Sequence, residues 1–235
     1  KMMERYAKTG LNYSQSIYTV QLTSSFERNQ GLIKVQLSTE MPDTEIFYTL
    51  DGSVPTDKSP KYLAPLRIDK SSTLKAQSFK NGIPKGRVVQ TELKIHMAAA
   101  KKVEYLQPYS EKYSGKEEYT FTDCLRGSLN FRDGNWQAFE GNDMEVIIDL
   151  EAVKTVKKLT VGCLHNAGSW IFLPDEITAW VSDDKINFRK INGLKNETPL
   201  TENPHIRNYS IDMLNSDGRY LKIQVKNQGT APAWH

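Results

Sequence analysis

Six consecutive residues, His165-Asn166-Ala167-Gly168-Ser169-Trp170, gather an imidazole, a carboxamide, a hydroxyl and an indole. That set suits the recognition of a sugar. The apolar side of a pyranose lies on an aromatic face, and planar polar groups take its hydroxyls. Trp170, Asn166, Ser169 and His165 are therefore the candidate ligand contacts, and Trp136 and Trp234 lie in other predicted loops that can join them. The opposing reading makes these tryptophans core plugs, because large aromatics are usually substantially buried. For Trp180, inside an alternating stretch, the packing reading is preferred.

Signals for catalysis are weak by comparison. Glycoside hydrolysis generally needs two carboxyl groups at a set separation. Asp175-Glu176 is the only Asp-Glu pair, and it leads into a strand, where neighbours point to opposite faces. No barrel-sized alternation of strands and helices is present. His96, His165, His205 and His235 lack metal-ligand spacing. There is no phosphate-binding glycine loop, nucleophile elbow or Cys-x-x-Cys. The chain reads as non-catalytic.

Composition narrows the partners. The net charge is +3, spread along the 235 residues without the basic stripe that nucleic acid requires. No apolar run approaches the roughly 20 residues of a membrane-spanning helix. Cys124 and Cys163 are too few for a disulfide scaffold, and they read as small buried hydrophobes before a disulfide or a metal site.

The elements that must position these residues follow period two. Ile33, Val35 and Leu37 alternate with Lys34, Gln36 and Ser38; Val89, Thr91, Leu93 and Ile95 alternate with polar residues, as do Leu221, Ile223 and Val225. Such runs are half-buried strands of antiparallel sheets. Asp51-Gly52 and Asn81-Gly82 read as hairpin turns, because both dipeptides tolerate positive φ. No amphipathic helix is expected beyond the first ten residues. The fold class is all-β, with a boundary near 96–103, a first block of sandwich size and a second that can hold a jelly roll.

The stretch Ile46-Phe47-Tyr48-Thr49-Leu50-Asp51-Gly52-Ser53-Val54-Pro55-Thr56, with Leu74 to Gly82, resembles the immunoglobulin-like domain on the C-terminal side of chitobiases and β-hexosaminidases. Val181 to Ile191 resembles the strand–turn–strand signature of discoidin-type domains, which include the family 32 carbohydrate-binding modules. There Asp183-Asp184 stands at a turn and Phe188 returns to the core. Thr122 to Gly141, Met144 to Leu150 and Gly162 to Pro174 resemble the version of that module attached to bacterial family 20 glycoside hydrolases.

The resemblance implies an organisation. Residues 1–14 would be the tail of a preceding domain or a linker, 15–96 an immunoglobulin-like spacer, 97–102 a linker and 103–235 a discoidin-type β-sandwich. The family pattern usually runs past Pro232-Ala233-Trp234-His235 into a closing strand with an acidic residue, which is absent from this sequence. It also often has Gly where this chain has Cys124.

By the same resemblance, the chain is an accessory region of a β-N-acetylhexosaminidase-like enzyme acting outside the bacterial cytoplasm: periplasmic, outer-membrane-attached or secreted. Its expected partners are a glycan of N-acetylhexosamine or galactose type and the catalytic domain of the same polypeptide. The alternative is a module that only packs against the catalytic barrel. No cofactor is required. The resemblance places a structural calcium loop at Asp123 to Ser128, with Asp123 and Ser128 as the side chains carried over. Calcium takes about six to eight oxygen ligands. From the residues alone, a turn held by Asx-type hydrogen bonds explains the same loop.

Overall fold

A computed structural model describes residues 16–197 and 203–229. It divides into two compact units, residues 1–96 and 97–235. Among the described residues there is no α-helix, only strands and single 3-10 turns. No helix among them is long and apolar enough to cross a membrane.

The first unit holds β1 (Gln21–Glu27), β2 (Leu32–Ser38), β3 (Glu45–Thr49), β4 (Leu66–Ile68), β5 (Ser72–Lys80) and β6 (Ile83–Leu93). They form two antiparallel three-stranded sheets, β1-β2-β4 and β3-β5-β6, as an immunoglobulin-like sandwich. The period-two pattern of β2 buries Ile33, Val35 and Leu37. Each such burial contributes about 1.5–3 kcal/mol. On the other sheet Leu74, Ala76 and Phe79 of β5 are buried, and Phe79 meets Phe47 of β3 edge-to-face with ring centroids 5.1 Å apart. Ser78 takes a fully buried place on β5, where its hydroxyl lies 2.5 Å from the Tyr18 carbonyl and 3.0 Å from that of Lys85.

The two Asx-Gly dipeptides behave differently. Asn81 (φ 53°) and Gly82 (φ 73°) both take the left-handed region and close the β5–β6 hairpin with Lys80 opposite Ile83. Asp51-Gly52 closes no hairpin, because β3 pairs with β5 and β4 pairs with β2 of the other sheet. The Asp51 carboxylate instead accepts from the Ser53 amide (2.9 Å) and hydroxyl (2.6 Å), which starts a crossing between sheets.

The second unit holds β7 (Val103–Tyr105), β8 (Met144–His165), β9 (Glu176–Ser182), β10 (Arg189–Lys195) and β11 (His205–Lys226), in the antiparallel order β10-β9-β11-β8-β7. β8 and β11 are 22 residues each and pair from Met144↔Val225 to His165↔His205. Register shifts after Asp212 and Gly218 bend the pair. Below the bend it is central in the five-stranded sheet. Above the bend, residues 156–165 and 205–216 form a two-stranded arm. Val156, Tyr209, Ile211 and Met213 of the arm share one core with Val146, Ile148, Ile177, Ala179, Val181, Leu221 and Ile223 of the sheet. The arm therefore folds back over the sheet to make a sandwich.

The turn at Asp183-Asp184 forms as its sequence implies. The Asp184 carboxylate accepts from the amides of Asn187 (2.7 Å) and Ile186 (2.8 Å), and these bonds hold its carboxyl well below the usual range. Phe188 departs from expectation. It lies outside the core cluster, half-buried, with the Lys222 ammonium 5.6 Å from its ring and 4.7 Å from that of Trp180. Trp180 and Lys222 are register partners, so both project from the face opposite Ala179 and Ile223.

Candidate functional site

The His165–Trp170 segment leaves the top of the arm as a closed loop. Asn166 and Ile171 exchange two backbone hydrogen bonds of 2.9 and 3.0 Å, which pinch its stem. Inside the stem, the Ser169 amide donates to the Asn166 carbonyl and the Trp170 amide to that of Ala167. Ala167 is buried and anchors the turn, while Gly168 and Ser169 are exposed. Trp170 ends the turn in the left-handed region, φ 62°, and its side chain is 65% exposed. A non-glycine residue there carries strain of about 1 kcal/mol or more. The indole carried there stands largely in solvent.

The other candidates divide around it. Asn166 is half-buried at the stem and Ser169 stands at the rim. His165 is placed beneath the loop, 1% exposed, with its ring 5.0 Å from that of His205 and 6.1 Å from Phe172. It supports the loop instead of lining its surface. Trp136 is half-buried on a separate loop. Its indole lies flat on Gly127, where a Cβ would stand 2.2 Å from the ring, and its Nε1 donates to the Ser128 carbonyl at 2.8 Å. That donor and that face already serve the loop. Trp234 lies outside the described residues.

Two polar groups that the sequence did not single out meet on the arm that carries the loop. The exposed side chains of Arg126 and Asn208 converge over Gly162 on β8. Arg126 Nη1 and Asn208 Oδ1 lie 3.1 and 3.2 Å from where a Cβ on Gly162 would stand. A glycine inside an otherwise side-chain-rich strand was the available signal, since such glycines mark close approach.

Asp123 and Ser128 have different immediate partners. Asp123 is 3% exposed; its Oδ1 accepts from the Leu125 amide (2.9 Å) and its Oδ2 from the Lys116 ammonium (2.5 Å). Ser128 is exposed, and its hydroxyl accepts from the Asn130 amide at 3.1 Å. Among the described residues no three His, Cys, Asp or Glu side chains gather for a metal. A divalent cation on Asp123 would have to expel the ammonium already bonded to it. The Lys116 ammonium thus already holds one of the carboxylate oxygens that the resemblance assigns to calcium.

The Asp175 amide donates to the Lys226 carbonyl at 2.9 Å, and Glu176 accepts from the Thr178 hydroxyl at 3.1 Å. Neither cysteine forms a disulfide, and burial pushes the Cys163 thiol up to about 12. A shallow depression in the first unit, beside Thr19, Pro84, Lys85 and Arg87, lies outside the unit that carries the aromatic loop.

No curated protein matches the chain. Among solved structures, the chain is similar to the C-terminal domain of a chitobiase from Bacteroides fragilis, with 15% identity, 56% of this chain and 85% of that chain covered, and TM-score 0.34. It is similar to a fucose binding module of Streptococcus pneumoniae, with 14% identity, coverages of 57% and 88%, and TM-score 0.38. It is also similar to a fucolectin from striped bass (Morone saxatilis) serum, with 12% identity, coverages of 94% and 86%, and TM-score 0.40. In the first unit, residues 12–91 match the family model of the chitobiase/beta-hexosaminidase C-terminal domain.

Proposed function

We propose that the second unit binds glycan through the Trp170 loop, and that the chain is a non-catalytic accessory region of a β-N-acetylhexosaminidase-like glycoside hydrolase acting outside the cytoplasm. The observation that carries this reading is the Trp170 indole, 65% exposed in a left-handed conformation on a pinched loop. Water-exposed indoles cost free energy unless a partner covers them, and the apolar face of a sugar is such a partner. The first unit is a spacer, a role supported by its match to a C-terminal domain family. The catalytic domain of the same polypeptide is the proposed neighbour.

A glycan array followed by calorimetry on the full chain tests this, with N-acetylhexosamine and galactose-type sugars as probes. Trp170→Ala is expected to weaken binding about tenfold, equivalent to ~1.4 kcal/mol. Absence of binding to every sugar in both measurements would leave only the packing role against a catalytic domain.

A further inference from the structure

Lys116 sits where a cation is needed. Its backbone is fixed by a sharp turn: Gly115 has φ 57° and Glu117 φ 54°, and the Lys116 amide donates to the Thr120 hydroxyl at 2.8 Å. A Cβ on Gly115 would stand 2.7 Å from that hydroxyl, so the turn is closed too tightly for any side chain there. From this turn the ammonium reaches Asp123 Oδ2 at 2.5 Å and Asn135 Oδ1 at 2.7 Å. Asn135 belongs to the far side of the same loop, where its amide is held by Asp133 Oδ1 at 2.9 Å. One ammonium thus ties three stretches of a segment without strands: 114–120, 122–125 and 133–136. Among the described residues it balances a carboxylate whose side chain is 4% exposed.

We propose that the Lys116 ammonium is the built-in cation of this loop, doing what a divalent metal would do, and that the second unit is metal-independent for that reason. A buried carboxylate is strongly destabilising without a charge partner. A metal supplies that partner with several oxygen ligands. Here a single ammonium supplies it with three donors, two directed at Asp123 and Asn135, while its 37% exposed side chain leaves the third to water.

All four tryptophans, Trp136, Trp170, Trp180 and Trp234, lie beyond residue 96, so indole emission during a melt of the full chain follows the second unit alone. The indole-detected midpoint is expected to be the same in excess EDTA and in excess calcium chloride. A ligand that binds the native state must raise it, so a rise with calcium overturns the proposal. Lys116→Met is expected to lower the midpoint by roughly 5 °C, with Asp123→Asn in that background restoring part of the loss. An unchanged midpoint in Lys116→Met also overturns it. If that variant does not fold, calorimetric titration of the unaltered chain with calcium decides: no binding heat supports the built-in cation, and saturable heat refutes it.

Discussion

Arg219 of β11 grips Asp149 of β8 with two parallel hydrogen bonds, Nε to Oδ1 and Nη2 to Oδ2, each 2.9 Å. The pair lies beside the register shift after Gly218, so it fastens the two long strands at their bend. The bond from Arg219, joined by one from the Glu151 amide, holds the Asp149 carboxyl below the usual carboxylate range. Its folded value is depressed. The stability it contributes is therefore present above the unfolded aspartate value of about 3.9 and is lost as pH falls through the folded value. Both side chains are two-fifths exposed, so the contribution is below about 1 kcal/mol. Urea melts of Asp149→Asn should show a deficit near pH ~7 that closes as pH falls through the depressed folded value. Arg219→Lys should show most of the same deficit, because lysine keeps the charge and loses the fork.

Trp170 and its left-handed backbone make opposing demands on one residue. Trp170→Gly relieves the strain and Trp170→Ala retains it, while both delete the indole. The glycine variant should be the more stable of the two by about 1 kcal/mol in denaturant melts. Both should lose glycan binding equally. If only the alanine variant loses it, backbone shape rather than the indole governs recognition.

Cys124 also sits at positive φ, 58°, directly after the buried Asp123. Glycine takes this conformation without the Cβ penalty that cysteine carries. Cys124→Gly should exceed Cys124→Ala in stability by about 1 kcal/mol, read from urea midpoints at constant slope.

Gly127 is required by contact rather than by φ. A Cβ there would meet Trp136 Cε2 at 2.2 Å. Gly127→Ala must displace the indole and break its bond to the Ser128 carbonyl, at a cost of about 1–3 kcal/mol. A red shift of indole emission in the folded state would report the displacement.

The sequence was readable wherever one local rule decided the outcome. Ile33, Val35 and Leu37 alternate, and alternation alone fixes which side is buried. Asn81-Gly82 joins two runs that face each other across a two-residue gap, so its turn follows directly. Asp51-Gly52 has the same chemistry, yet its flanking strands choose partners in different sheets, a choice made by residues far away. Phe188 was misplaced because burial depends on register: its strand neighbours set it over Lys222, outside the core. Trp170 and Trp136 are alike in type and loop context, and only the fold shows that one is presented and the other packed on Gly127. Lys116 was invisible. Nothing in a lysine seven residues before an aspartate announces that a strandless loop brings the two together.

The long ladder between β8 and β11 also sets an order of assembly. In the first unit, the β5–β6 hairpin pairs residues only a few positions apart at its turn, and such contacts close quickly. In the second unit Met144 must find Val225 and His165 must find His205, across most of the intervening chain. On a ribosome, the residues that pinch the indole loop emerge well before the strand that anchors its base. Until β11 is made, β8 has an open edge at which a neighbouring nascent chain can pair, so the surface proposed to meet sugar is among the last parts of the molecule to take shape.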